Sequence, residues 1–533
     1  MRQAPPFSLE RYTLLQILIA GLIALPVFTA IWYGLTTGGN LAWDHILTHR
    51  LGPYTLTTLM VLFLTGTLAC ILAIPLAWLV SLYDFPFRRV MEWGLILPLA
   101  IPGYVLAYAW ADLAGVAGPI QAGLREVTGL SARDYWFPNV FSIPGLSGIL
   151  ALTLFPYVYI TARAAFTTQS LATLEAGRCL GASGWHLFWR VGLPAARPAV
   201  LAGLSLVLME AAADYGAADY LGVQTLGVGI VRAWTSFGEP ATAARLALVL
   251  ISLAFAFLIV SKLATGAAGS QQTSYRWTTP ARTQLTTGTG FAVLAYFLLI
   301  LSFSFGLPVT RLIWLSLATS ATASSLMSAL TSSLSLAAMG TTLAFMCSLV
   351  MVLASHYSRR GAWPIRLAAA SGYAAPGVVL GLGGLFLLKA SGQALTGGLA
   401  IGLLVWIYAS RFTSAGTEPL FAALSRAPAS LDQATRSLGV TGALRFWRVD
   451  LPLLAPGALA GGLILFVEIL KELPATLMLR PFGWDTLAVR AHAYASDERL
   501  ASATLPALLI TLSGLVPVIL LSRQMTQMGD RIR

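Results

Sequence analysis

The sequence predicts an all-α, polytopic membrane protein made of two tandem six-helix modules, about twelve membrane helices in all. Three observations carry this. The 533 residues are 57% hydrophobic and only 10% charged, whereas soluble domains carry roughly 25% charged residues. Apolar runs of about twenty residues, the length a helix needs to cross the hydrocarbon core, recur along the whole chain. A polar, arginine-bearing island also occurs twice at a constant offset of 258 residues, from Pro194 to Pro452.

In chain order, Arg2 and Arg11 flank the start of an apolar run over 12–35. It is long enough to span rather than to be a cleaved signal, so an uncleaved signal anchor is expected. Further runs fall at 54–82, 92–112, 144–166, 198–221 and 242–262, and then at 288–306, 326–355, 366–388, 397–415, 455–475 and 502–522. Pro98, Pro102 and Pro376 interrupt two of them, which membrane helices tolerate when neighbours re-satisfy the freed carbonyl. The polar stretch 263–287 separates a first module, 1–262, from a second, 288–533.

The formal charge of +12 comes from 33 Lys and Arg against 21 Asp and Glu. This excess is scattered over short loops, as positive-inside topology requires. A nucleic-acid face would gather it on one domain, so the expected partner is the lipid bilayer and not nucleic acid. With both termini on the cytoplasmic side, the inside loops take Arg88, Arg163, Arg178, Arg190, Lys262, Arg282, Arg359, Arg411, Arg436, Arg448 and Arg523. Both islands then fall in the cytoplasm, within loops 163–197 and 416–455. The long outside loops, 113–143 and 476–501, suit either solvated connectors or a docking surface. Cys70, Cys179 and Cys347 have no CxxC spacing and read as packed small hydrophobes.

The first island runs from Glu175-Ala176-Gly177-Arg178-Cys179-Leu180-Gly181 to Phe188-Trp189-Arg190-Val191-Gly192-Leu193-Pro194. The second runs from Gln433-Ala434-Thr435-Arg436-Ser437-Leu438-Gly439 to Phe446-Trp447-Arg448-Val449-Asp450-Leu451-Pro452. Gly181 and Gly439 permit a sharp turn. Trp185, Phe188 and Trp189 recur at helical spacing and form one apolar face, suited to a partner's groove or to the protein's own helices. The pattern Glu-Ala-x-x-x-x-Gly followed by Leu-Pro resembles the EAA motif of ABC importer permeases. That resemblance implies type I importer modules whose islands couple to a cytoplasmic ABC ATPase homodimer, fed by a periplasmic solute-binding protein. It implies coupling roles for Glu175, Ala176, Gly181, Trp185, Trp189, Pro194, Gln433, Ala434, Gly439, Trp447 and Pro452. Gln433 stands where the family has Glu, with Asp432 one residue earlier.

Glu210 and Asp214 share a helix face, and the same offset leads to Glu468 and Glu472. An acid at mid-membrane costs roughly 2.5–3.5 kcal/mol on insertion scales, so four facing lipid is implausible. They are expected to line a watered translocation pathway with Tyr215, or, for Glu468, to be neutralised by Lys471. Asp219 reads as a solvated loop acid. None of the three lysines follows Gly, so the chain carries no Walker A loop. Nor does it carry HExxH or GxSxG, which leaves no enzyme reading and no cofactor.

Two further stretches, Glu468–Thr476 with Leu479-Arg480-Pro481-Phe482-Gly483, and Leu208-Met209-Glu210 through Asp214-Tyr215-Gly216, are similar to the ferric-iron importer permeases. The resemblance implies Fe(III) as cargo, with transient contacts to Glu210, Asp214, Glu468 and Glu472 and no firm metal site. Hard oxygen ligands suit such an ion. Thiamine permeases share the fused plan, and an acid cluster would equally serve an organic cation. A different class, an ion-coupled secondary carrier using the acids as proton relays, would leave the islands without a role.

Overall fold

The computed structural model describes residues 9–38, 41–168, 184–266, 282–317, 323–357, 371–424, 429–440 and 442–531. Among these residues the chain is helical except for turns, loops and one two-residue parallel bridge, Tyr83–Asp84 with Thr283–Gln284. Ten helices among the described residues are long and apolar enough to cross a membrane, eleven if the bent pair Arg88–Ala100 and Gly103–Thr128 counts as one span. The shortfall from twelve falls on the two proline-interrupted runs. Pro102 lies in a 94° break, just after the 3-10 turn Leu97–Ala100 that contains Pro98. Pro376, with extended backbone at φ −55° and ψ 145°, starts a helix of only 14 residues, Gly377–Ala390. Proline supplies no N–H and clashes with the preceding turn, so each run breaks where the ring sits.

Packing groups the chain into two units that cut across the sequence repeat. One comprises Met1–Gly39, Gly238–Ile251 and Thr322–Arg490. The other comprises Asn40–Phe237, Ser252–Ala321 and Ala491–Arg533.

In the first unit, the opening helix Leu9–Thr36 lies against Gly377–Ala390 and Ala323–Tyr357. With little hydrophobic drive between helices in lipid, small residues and polar contacts must hold such a pair. Gly383 lets the Pro26 carbonyl approach so closely that a Cβ there would sit 1.8 Å from its oxygen. Thr29 donates to the carbonyls of both Pro26 and Gly383 at 3.0 Å. Gln16, fully buried, donates to Ser355 at 3.1 Å. Tyr33 stacks on Phe386 at 3.8 Å and receives Lys389 at 3.0 Å.

In the second unit, Leu51–Leu82 and Leu193–Ala213 both pack on Ile143–Thr168. Glu92 receives Arg88 at 2.8 Å and also Arg163, and Asp84 lies 3.5 Å from Arg88. Arg88 and Arg163 are therefore not loop charges. They sit on helices Arg88–Gly94 and Ile143–Thr168 and turn inward to neutralise one buried acid. The bridge at Thr283–Gln284 docks the end of the 263–287 connector on the same spot; residues 267–281 lie outside the described residues. The 113–143 loop is also built rather than slack. It contains the helix Pro119–Thr128, and Tyr135 donates to Gln121 at 2.9 Å. The Ser131 hydroxyl and amide both donate to Asp134, holding its carboxyl below the ordinary value.

Among the described residues three single π turns occur, at Phe188–Gly192, Ser302–Gly306 and Phe446–Asp450. Each is followed by Leu-Pro: Leu193-Pro194, Leu307-Pro308 and Leu451-Pro452. In every case the leucine N–H bonds five residues back, to Phe188, Ser302 or Phe446. The proline has nothing to donate, so the turn before it widens instead of clashing. At Ser302–Gly306 the Phe303 carbonyl is satisfied by the Trp110 indole at 3.2 Å.

Gly383→Ala is expected to lower the stability of the purified protein by about 1–3 kcal/mol, the usual cost of overpacking. Gly402→Ala, where a Cβ meets nothing within 4 Å, should leave it unchanged or raise it slightly. Thermal unfolding in detergent compares the two.

Candidate functional site

The second island is the more fully described. The helix Ala429–Ser437 ends at Gly439, whose φ is +68°. Val440 donates to the Thr435 carbonyl at 3.0 Å, closing a Schellman cap in which glycine takes the left-handed position without strain. The island glycine is thus a helix stop. Ala434 on this helix and Leu438 just after it are exposed; the side chain of Gln433 lies outside the described residues. Glu175, Ala176 and Gly181 of the first island, and the Trp185 side chain, also lie outside them.

After the turn, the two copies take the same path. Gly184–Leu187 leads into the π turn at Phe188 and the long helix from Leu193, and Gly442–Arg445 leads likewise into Phe446 and Leu451. Pro194 and Pro452 sit in the first turn of the long helices, where their missing N–H costs least. The aromatic pair divides its work. Phe188 is buried edge-on against Trp78 at 5.2 Å, whereas Trp189 is 50% exposed. Trp447 is 65% exposed, beside Phe446. Gly192 is required by this packing, since a Cβ there would meet the Trp78 ring at 2.3 Å. At the matching position in the second copy, Asp450 is buried and lies 3.6 Å from Arg445.

The carboxylates repeat as exactingly as the islands. The long helices end at Ala213 and Lys471, and their next residues, Asp214 and Glu472, turn extended at ψ 122° and 123°. Asp214 then accepts the amides of Ala217 at 3.0 Å and Ala218 at 3.3 Å. Glu472 accepts those of Ala475 and Thr476, both at 3.0 Å, and the Thr476 hydroxyl at 2.7 Å. Each acid therefore caps the short helix that follows, Gly216–Tyr220 or Pro474–Leu479. Glu472 is also held by Arg411 at 3.4 Å, with side chains only 1% and 9% exposed. Arg411 is consequently not an inside-loop charge; it lies within the helix Gly397–Leu424. Gly377 leaves room for this pair, since a Cβ there would lie 2.2 Å from the guanidinium. Glu468 is neutralised by Lys471 at 2.8 Å. Glu210 lies in the last turn of the helix that ends just before Asp214, and Tyr215 is buried.

These features meet in the comparisons with known proteins. Residues 69–268, which contain the first island and the Asp214 cap, match the family described as binding-protein-dependent transport system inner membrane component. That stretch is a permease module of this family. The chain is 26% identical over 531 residues to the Fe(3+)-transport system permease protein FbpB 2 of Haemophilus influenzae, covering 98% of this chain and 99% of that relative. The sulfate transport system permease protein CysW of Escherichia coli is 30% identical over 160 residues, 30% of this chain and 52% of CysW. The molybdenum transport system permease protein ModB of H. influenzae is 29% identical over 197 residues, 36% of this chain and 83% of ModB.

Sequence spacing located these four intramembrane carboxylates and the Lys471 partner of Glu468, but not what holds Asp214 and Glu472. The signal for capping was the small or proline-led helix start after each acid, Asp214-Tyr215-Gly216 and Glu472-Leu473-Pro474. Asp219, read as a solvated loop acid, is instead drawn inward. Its side chain is 21% exposed and lies near Tyr215, Arg232 and His492. It joins a short helix whose buried side it shares, which loop composition alone does not reveal.

In the permease, Glu472→Ala should destabilise by about 3–5 kcal/mol, because it strands Arg411 in a buried site as well as removing the cap. Glu472→Gln keeps an acceptor for the amides and should cost clearly less. Chemical or thermal unfolding of the purified variants checks the order.

Proposed function

We propose that this permease imports ferric iron, taking it from a periplasmic solute-binding protein and using a cytoplasmic ABC ATPase homodimer as its motor. The observation that carries the reading is the relative covering 98% of the chain, a permease named for Fe(3+) transport. The sulfate and molybdenum relatives align over about a third of the chain. Two EAA-like islands in one polypeptide supply both handles that an ATPase dimer needs, so modules 1–262 and 288–533, joined by 263–287, would act as a fused pair. The coupling surface comprises the helix ended by Gly439, the exposed Trp189 and Trp447, and their counterparts at Glu175, Ala176, Gly181, Trp185, Gln433 and Ala434. Pro194 and Pro452 act through the π turns, which set where the two tryptophans point.

In this reading both termini and both islands are cytoplasmic, and the protein is a multi-pass component of a bacterial inner membrane. ATP hydrolysis belongs to the separate subunit, because no lysine here follows a glycine. Glu210, Asp214, Tyr215, Glu468 and Glu472 belong to the translocation pathway as positioning groups. Asp214 and Glu472 shape the helix breaks, and Glu468 is paired with Lys471. Coupling then works by alternating the packing of rigid helices around these breaks.

The test is uptake of radiolabelled Fe(III) by proteoliposomes holding the permease, its ATPase and its binding protein. Uptake should require ATP and all three components, and excess sulfate, molybdate or thiamine should not compete. Uptake of thiamine or of an oxyanion instead would overturn iron. Uptake by the lone chain under a proton gradient would overturn the ABC mechanism. Gly439→Leu, forced into a left-handed conformation that costs roughly 1–2 kcal/mol, should leave ATP hydrolysis running while uptake falls at least tenfold.

A further inference from the structure

One cluster in the second unit is absorbed by neither the islands nor the caps. Asp219 Oδ2 receives the Tyr215 phenol at 3.2 Å and lies 3.5 Å from His492 Nε2. Tyr215 and Asp219 are four residues apart around the helix Gly216–Tyr220; His492 comes from the helix Leu487–Ser496. Tyr215 and His492 are buried, and Asp219 is partly exposed. On the far side of the imidazole, Tyr108, fully buried and edge-on to Tyr220 at 4.5 Å, lies 2.8 Å from Nδ1.

We propose that Tyr215, Asp219 and His492 form a receiving site for Fe(III), a claim that rests on the iron reading above. Two donors bound to one ion at about 2.0–2.2 Å lie roughly 3.0–3.5 Å apart, which is the spacing found here around Asp219 Oδ2. A phenolate and a carboxylate are hard oxygen donors, and imidazole also suits iron. Among the described residues no three His, Cys, Asp or Glu side chains could hold a metal; the phenol completes this set. Coordination sends the Tyr215 proton to water and shifts the imidazole proton from Nε2 to Nδ1. There Tyr108, able to accept as well as donate, holds it and fixes the ring.

The duplication supplies a second, independent argument. The acid caps at Asp214 and Glu472 recur in both halves, but the positions matching Tyr215 and Asp219 at the same offset are Leu473 and Leu477. The second short helix folds with leucines there, so the local fold does not demand the polar set. One site on a duplicated scaffold is what a single cargo path needs. Arg232, 3.7 Å from Asp219 Oδ1 and bonded to Gln224 at 2.6 Å, opposes a bound cation. The site is therefore built for passage rather than storage.

Titration of the purified full chain with Fe(III) nitrilotriacetate tests this by the visible phenolate-to-iron charge-transfer band. Wild type and Tyr220→Phe should develop the band. Tyr215→Phe, which keeps the ring and its packing, should abolish it, and Asp219→Asn should weaken apparent affinity at least tenfold. No band in wild type, or a band that survives Tyr215→Phe unchanged, overturns the site. Wild-type uptake of Fe(III) in proteoliposomes without any band would refute this site while leaving the import function standing. A band without uptake of iron would refute the import function and, with it, a receiving role.

Discussion

Backbone amides inside an apolar bundle have no water to turn to, so a helix can break there only if the chain supplies its own acceptors. Asp214 and Glu472 meet that requirement. Each stands one residue past a 21-residue helix and bends back over the amides of the next. Without them the long helices could not stop and restart at matching positions. The charge is expensive in this setting, and for Glu472 the guanidinium of Arg411 offsets it, in a space that Gly377 keeps open. One acid, one cation and one missing Cβ together make a broken helix tolerable.

Proline imposes the complementary constraint at the other end of those helices. Leu193-Pro194 and Leu451-Pro452 force the preceding turn from α to π spacing, which rotates the residues just upstream. That rotation buries Phe188 on Trp78 and leaves Trp189 and Trp447 outward. The same device at Leu307-Pro308 serves packing alone, with the Trp110 indole taking the Phe303 carbonyl. The π turn thus recurs at three places among the described residues, and in the two arginine-bearing copies it leaves a tryptophan exposed. Such turns often mark functional places in helices.

Much of this was legible before any coordinates. The run lengths gave the spans, and the two that fail as straight helices are those broken by Pro98 and Pro102 and by Pro376. The offset of 258 residues from Pro194 to Pro452 paired the islands and the acids, and the same offset relates the observed helix ends at Ala213 and Lys471. What spacing could not reveal were contacts across long separations. Arg411 and Arg163 looked like loop charges because a basic residue at the edge of an apolar run is usually cytoplasmic. Only packing brings Glu472 and Glu92 to them. His492, 273 residues from Asp219, left no trace in any local pattern.

The central claim is that two like-oriented copies of one scaffold each present a handle to the same cytoplasmic motor. Trp189→Cys and Trp447→Cys, placed singly in a chain freed of Cys70, Cys179 and Cys347, can be probed with a membrane-impermeant thiol reagent in right-side-out and inverted vesicles. The account predicts that both label from the cytoplasmic side alone and that added ATPase protects both; labelling of the two from opposite sides of the membrane would contradict it.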